Sequence, residues 1–156
     1  MNAHAINAGR LPVCSPQGDF QFWELDDEEA VAAQIVELCT KVLPQQGFSP
    51  LTDIQVLAPM HRLACGTDNL NKVLQAALNP KSPQRPELTN AAQTFRLGDK
   101  VIQTKNNYTK QVFNGDIGFV MAIAPGRMTV HFSAELEVDY ENGEFGELAL
   151  AYALTV

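Results

Sequence analysis

Residues 79–93 (NPKSPQRPELTNAAQ) carry three prolines and few apolar side chains. Each proline removes a backbone donor and fixes φ, so the run suits neither a helix interior nor a central strand. It reads as a surface connection, and the texture of the chain changes across it. Upstream, after an irregular stretch over 1–18, strand-like and helix-like segments alternate. Phe20 to Leu25 (FQFWEL) alternates aromatic and polar residues and predicts a short strand. Asp26, Asp27, Glu28 and Glu29 suit a helix N-terminus, and Val31, Ile35, Leu38, Cys39 and Val42 follow at helical spacing until Pro44 and Gly47. Ile54 to Met60 (IQVLAPM) predicts a buried strand. After a loop over 61–66, Thr67 or Asp68 caps a second helix through Leu70, Val73, Leu74, Ala77 and Leu78, and Asn79-Pro80 ends it. Strand, helix, strand, helix predicts a parallel α/β layer.

Downstream, short β-like runs crowd together: Phe95 to Thr104, Gln111 to Phe113, Ile117 to Ile123, Met128 to Phe132 and Leu136 to Tyr140. Tight turns separate them, which predicts a small β-barrel or curled sheet. Asn114-Gly115-Asp116 reads as turn chemistry, since Asn-Gly favours a type I′ hairpin turn, and Gly118 as a point where a strand bends. Leu148 to Val156 (LALAYALTV) returns to one continuous apolar run. An apolar strand with an unprotected edge invites aggregation, so a chain stopping there is expected to be a piece of something longer.

Charge decides which partners are credible. The chain carries −7 overall, but Arg62 to Lys110 holds eight basic and three acidic residues, +5, and the remainder is −12. Screening confines a charge to about 8 Å, so a basic middle can meet phosphates despite the acidic total. Cys14, Cys39 and Cys65 are odd in number and widely spaced, which predicts reduced thiols and neither a metal site nor a disulfide framework. No apolar run reaches the roughly 20 residues of a membrane span, and Met1 to Pro12 lacks an apolar signal core. A cytoplasmic protein with no membrane partner is expected.

Several segments, in order, resemble the RecD/TraA type of superfamily 1 DNA helicase. They are Asn2 to Asn7 with Gly9, Asp53 to Arg62 (DIQVLAPMHR), Leu70-Asn71 with Leu74-Gln75 and Leu78-Asn79-Pro80, Phe95 to Tyr108 (FRLGDKVIQTKNNY), Val112 to Gly118 (VFNGDIG) and Leu150 to Val156 (LAYALTV). The resemblance implies an α/β fold: part of a RecA-like (P-loop NTPase-type) parallel-sheet domain over 1–98 and 146–156, with an SH3-like β-barrel inserted over 99–145. It implies a parent protein that is an ATP-dependent 5′–3′ DNA helicase. That parent would be a free RecD-like helicase, the alpha subunit of exodeoxyribonuclease V, or the motor of a conjugative relaxase. ATP and Mg2+ would be cofactors of the parent. Its partners would be single-stranded DNA, the N-terminal RecA-like domain of the same chain and, in the nuclease complex, RecB/RecC-like subunits.

Expected DNA contacts are His61, Arg62, Lys105, Asn107, Tyr108 and Thr155. Met60, His61 and Arg62 end a predicted parallel strand, where ligands of open α/β sheets bind. Arg62 can grip a phosphate through two donors, with the N–H groups of the helix start at Thr67-Asp68 beside it. Lys105, Asn107 and Tyr108 offer a cation, an amide and a stacking ring. Thr155 matches the family's motif V threonine, which bonds a DNA phosphate. The family has glycine directly after the basic residue, whereas Leu63 stands there in this chain. A non-catalytic SH3-like protein-interaction module, offering its acidic surface to a basic partner, is the alternative reading. A third is a barrel that only braces the motor domain.

No Gly-x-x-x-x-Gly-Lys-Ser/Thr occurs in the chain, so nothing in it cradles ATP phosphates and no residue is assigned a catalytic role. The 156-residue chain alone is expected to turn over no ATP above blank in a coupled assay. Measurable turnover would show that a nucleotide site lies within these residues.

Overall fold

A computed structural model describes residues 2–15, 18–90, 93–133 and 135–155. The chain is a mixed α/β structure with helices α1 (Asn2–Asn7), α2 (Glu28–Glu37), α3 (Leu43–Gln45) and α4 (Thr67–Leu78). Its strands are β1 (Val56–Ala58), β2 (Glu87–Thr89), β3 (Thr94–Arg96), β4 (Lys100–Gln103), β5 (Ile117–Ala124), β6 (Arg127–Ser133), β7 (Leu136–Glu141), β8 (Leu148–Leu150) and β9 (Ala153–Thr155). Three sheets result. β1 and β9 pair in parallel, β2 and β3 pair antiparallel, and β7-β6-β5-β4-β8 form an antiparallel sheet. Among the described residues the outer strands β7 and β8 do not pair, so the sheet is open where a closed barrel was expected. The core joins both halves: Leu70 and Leu74 of α4 belong to the same apolar cluster as Phe95, Val101, Val130 and Tyr140.

Local sequence explains most of these elements. Asp27 caps α2, its carboxylate accepting from the Ala30 N–H at 3.1 Å. That helix continues as a π-helical stretch over Leu38–Val42 into α3, so Pro44 sits inside the helical run and Gly47, at φ +97°, follows its end. α4 begins on schedule and buries Leu70 and Leu74. The Asn-Gly turn forms with a different geometry. Asp116 N–H donates to Phe113 O at 3.0 Å, with Gly115 at φ +102° and Asn114 outside the left-handed region. One positive φ at the third position is a type II pattern, not type I′. Gly118 serves close approach. A Cβ there would meet His131 O and Val130 Cγ1 at 2.8 Å, so only glycine lets β5 lie this near β6.

Three further readings fail. Phe20 to Leu25 forms no strand, and Phe22 and Trp23 stay exposed. An alternating stretch needs a neighbour to pair with, and no described strand runs beside it. Asn2 to Asn7, expected to be irregular, is a short helix tied down by Asn2, whose side chain both donates to Val13 O and accepts from Val13 N. The prolines of 79–93 also leave room for β2, held antiparallel to β3.

The continuous apolar run at the C-terminus divides between two sheets. Leu148–Leu150 pairs antiparallel with β4, and Ala153–Thr155 pairs in parallel with β1. Between them Tyr152 sends its hydroxyl to Asp99 Oδ1 at 2.8 Å. Asp99 is fully buried and accepts three more bonds: from Asn79 Nδ2 at 2.7 Å, Gln75 Nε2 at 2.6 Å and Arg96 N at 2.7 Å. Replacing Asp99 by Ala removes the acceptor of four buried donors at once. A loss of about 3 kcal/mol or more is expected. In a thermal melt followed by circular dichroism the midpoint should fall by roughly 6–12 °C. An unchanged midpoint would show that this cluster does not join the two halves.

Candidate nucleic-acid interface

The parallel pair β1–β9 places its carboxyl ends side by side, with Ala58 opposite Thr155. The chain leaves β1 through Pro59, Met60, His61 and Arg62, so both strand ends open on one face. A cavity of about 560 Å³ lies there. α4 lines it with Thr67, Asp68, Asn71 and Lys72, a polar stripe at helical spacing. The apolar stripe of α4, Leu70 and Leu74, faces the core instead. Opposite stand Thr155 and Leu154 of β9, with Thr104 just beyond β4. His61 closes one side, its Nδ1 sharing a hydrogen with Thr67 Oγ1 at 3.2 Å.

The walls of this cavity are fixed by side-chain amides acting as substitute strand partners. Asn71 donates to Ala153 O and accepts from Ala153 N, both at 2.9 Å. Gln93 does the same for β8, donating to Leu148 O at 2.8 Å and accepting from Leu150 N at 3.2 Å. Each amide supplies one donor and one acceptor to a strand edge that would otherwise lack both. Lys100 is buried beneath, its Nζ donating to Ile54 O at 3.2 Å, and burial pushes its pKa down. Burial, with Asp99 beside it, pushes the Tyr152 phenol well up, so it remains a donor.

Of the predicted contacts, the structure brings His61 and Thr155 onto this cavity. Arg62 is exposed beside His61 but does not line it. The α4 N–H groups expected to help Arg62 are already engaged: Thr67 N donates to Met60 O and Asp68 N to His61 O, both at 3.0 Å. Gly66 permits that fold-back, because a Cβ there would lie 2.1 Å from Arg62 O. Leu63, in the place where the family has glycine, takes φ +74°, a left-handed conformation that costs a non-glycine residue about 1–2 kcal/mol.

Lys105, Asn107 and Tyr108 lie in the 104–116 loop after β4. Lys105 and Tyr108 are exposed. The Asn107 amide is turned inward, donating to Glu147 Oε2 at 3.1 Å and accepting from Lys110 N at 3.1 Å. Asn114, Gly115 and Asp116 form the turn that closes this loop, and the Asp116 carboxylate accepts from Phe113 N at 2.8 Å. Buried Gln103 anchors its start, donating to Lys105 O and Glu147 Oε2 and accepting from Tyr140 OH at 2.7 Å. Burial pushes the Tyr140 phenol up as well.

The basic stretch is largely consumed by the fold. Lys81 and Arg96 pair with Glu87, Lys110 pairs with Glu144 and holds its carboxyl below the usual range, Arg85 donates to Asn79 and Lys100 is buried. Among the described residues, Arg62, Lys72 and Lys105 enter no ion pair. Lys72, counted from sequence within the basic stretch but not among the expected contacts, also lines the cavity. Its signal was the polar stripe of Thr67, Asp68, Asn71 and Lys72, one face of a helix whose other face is apolar. The cysteines are free: Cys39 is buried, Cys14 is exposed, and Cys65 donates to Glu28 O, its thiol pushed up by burial and nearby carboxylates. No helix among the described residues is long and apolar enough to cross a membrane.

Residues 70–140 match the family described as the SH3 domain of ATP-dependent RecD-like DNA helicases. Across 154 residues the chain is 41% identical to the ATP-dependent RecD2 DNA helicase of Deinococcus radiodurans, covering 99% of this chain and 20% of that protein. The chain thus spans about a fifth of the length of that relative. Solved structures of Bacteroides Pif1 are distant neighbours. The unliganded form has a TM-score of 0.45 at 13% identity, over 86% of this chain and 41% of that one. The form bound to single-stranded DNA has a TM-score of 0.43 at 14% identity, with the same coverage. Likeness at that level carries no argument about fold or function. The two sequence matches are closer: residues 70–140 are similar to the SH3 domain of RecD-like DNA helicases, and nearly the whole chain is similar to a segment of the RecD2 helicase.

Proposed function

We propose that this chain supplies part of the single-stranded DNA track of an ATP-dependent 5′–3′ DNA helicase. The observation that carries the reading is the cavity at the carboxyl ends of β1 and β9. It gathers His61, Lys72, Thr104 and Thr155, with the unpaired cations Arg62 and Lys105 close by in sequence. Hydroxyls, an imidazole and ammonium or guanidinium groups are the donors that hold phosphate oxygens. Thr155 and Thr104 would donate their hydroxyls to phosphate oxygens of the strand, and Lys72 and Arg62 would neutralise its charge. Asn107 would act indirectly, by holding the loop that presents Lys105 and Tyr108. The similarity to the RecD2 helicase and the donor groups of the cavity both support this reading.

In this reading β1, β9 and α4 belong to the second RecA-like domain, over 1–98 and 146–156, and the antiparallel sheet to the SH3-like insert over 99–145. ATP and Mg2+ serve the whole protein. The residues of this chain do not fit a nucleotide's phosphates, having no glycine-rich loop before a Lys-Ser/Thr pair, so they would be held by the N-terminal RecA-like domain. That domain and the strand itself are the partners assigned here. RecB/RecC-like subunits would join only where the parent belongs to a nuclease complex, and the cytoplasm follows as the compartment of a DNA motor.

Phosphate contacts have a measurable signature. Each neutralised phosphate releases counterions, and the salt dependence of binding records how many. In the full-length protein, Arg62→Ala and Lys72→Ala should each weaken single-stranded DNA binding and flatten the slope of log K against log salt by about 0.7. A slope unchanged in both would remove this cavity from the track. The 156-residue chain alone should bind only at the roughly 10⁻⁴–10⁻⁶ M of non-specific contact, or more weakly. Tight, sequence-selective binding in a titration would contradict a phosphate track.

A further inference from the structure

Asn-Gly occurs twice in the chain, at 114–115 and at 142–143. The fold builds nearly the same turn at both places. Asp116 N donates to Phe113 O at 3.0 Å, and Glu144 N donates to Glu141 O at 2.9 Å. Gly115 stands at φ +102° and Gly143 at φ +101°, while neither asparagine is left-handed. Both dipeptides are exposed, and a Cβ on either glycine would meet nothing within 4 Å. One difference separates them. Gly115 N–H donates to Gln103 O at 2.9 Å, whereas Gly143 N–H has no hydrogen-bond partner among the described residues.

That N–H decides the chemical stability of the asparagine before it. Asn Cγ and the next backbone nitrogen are spaced to close a five-membered ring, and glycine has no Cβ to hinder the closure. In that reaction the glycine nitrogen loses its proton and attacks Cγ. The N–Cγ bond forms, the Cγ–Nδ2 bond breaks, and the side-chain nitrogen leaves as ammonia with the proton. Water then opens the cyclic imide. Attack at Cγ gives aspartate, and attack at the main-chain carbonyl carbon gives isoaspartate. One water is consumed, one ammonia is released, and nothing is oxidised or reduced.

A glycine nitrogen whose N–H is already bonded must first be freed by a local opening. At 114–115 that opening also strains the bonds beside it. Asn114 N donates to Asn106 Oδ1 at 2.9 Å, and Phe113 N donates to the Asp116 carboxylate at 2.8 Å. The 141–144 turn has a comparable brace, Glu141 N donating to Glu144 Oε2 at 2.8 Å, but it leaves Gly143 N free.

We propose that Asn142 is a site of spontaneous deamidation in the folded protein, and that the Gly115–Gln103 bond shields Asn114 from the same reaction. The product sets a new carboxylate between Glu141 and Glu144. Nothing in this depends on the DNA reading above.

The test ages the full-length protein in mildly alkaline buffer, digests it and follows both Asn-Gly peptides by mass spectrometry. Each rate is divided by that of a short synthetic peptide of the same local sequence, which removes the influence of Phe113 and Glu141. The resulting ratio should be about fivefold or more higher at Asn142 than at Asn114, the factor carried by one hydrogen bond. In urea that unfolds the protein, both glycine nitrogens are free and the two ratios should converge. Asn142→Gln lengthens the ring to be closed. It should remove the acidic species that ion exchange separates from the aged protein and leave the rate at Asn114 unchanged. Equal ratios in the folded protein, or a higher ratio at Asn114, overturn the proposal. So does an Asn142 that stays intact while its synthetic peptide converts.

Discussion

The carboxylate of Asp99 is the point on which the two halves of the chain turn. It is wholly inaccessible to solvent, and all four of its partners are donors. They come from α4, from the end of β3 and from the connection between β8 and β9. A buried carboxylate without partners would cost far more than a small domain can tolerate. With every lone-pair site engaged, it demands one arrangement of those three segments. Asn79 extends the cluster outward, donating to Leu97 O while its own oxygens accept from Arg85 and Arg96. Two of the arginines that look on paper like a phosphate footprint are part of this frame.

The path of the C-terminal segment follows from that constraint. β8 belongs to the antiparallel sheet and β9 to the parallel pair, with only Ala151 and Tyr152 between them. A crossing this short would leave backbone groups stranded at the join, where burial makes an unpaired group expensive. Ala151 N donates to Lys100 O at 2.9 Å, and Gln55 Nε2 lies within bonding distance of both Ala151 O and Tyr152 O. Gln93 and Asn71 serve the strand edges on either side. The segment is thus satisfied residue by residue, largely by side-chain amides.

What was legible in the sequence is what depends on near neighbours. The helix start at Asp26-Asp27, the span of α4, the presence of a turn at Asn114-Gly115 and the strands β4 to β7 all rest on periodicity or turn chemistry within a few residues. The misread parts depend on distant ones. Phe20 to Leu25 has the alternation of a strand but no partner to pair with. LALAYALTV reads as one strand because apolar continuity cannot say that its halves belong to different sheets. Gln75, Asn79, Asp99 and Tyr152 look unrelated until the fold makes them one cluster. The site divides the same way. His61 and Thr155, expected as DNA contacts from the resemblance, both line one cavity, whereas Arg62, Lys105, Asn107 and Tyr108 do not line it. Lys72 was counted only as part of the basic stretch, and that stretch was over-read because ion pairing inside the fold is invisible to a charge count.

α4 joins these constraints in one element. Leu70 and Leu74 hold it to the core, and Gln75 and Asn79 reach the Asp99 carboxylate. Asn71 grips β9, and Thr67, Asp68 and Lys72 face the cavity. The same twelve-residue helix therefore sets the distance between the parallel strand ends and the antiparallel sheet while furnishing one wall of the groove between them. A rotation of α4 that broke the Asn71 clamp would carry Lys72 away from Thr155. A shift of the antiparallel sheet would have to break the amide bonds to Asp99 first. Cavity-facing groups on a helix locked by buried polar bonds at one end, and by a strand-edge clamp in its middle, are held in register with a strand end that no local sequence signal ties to them.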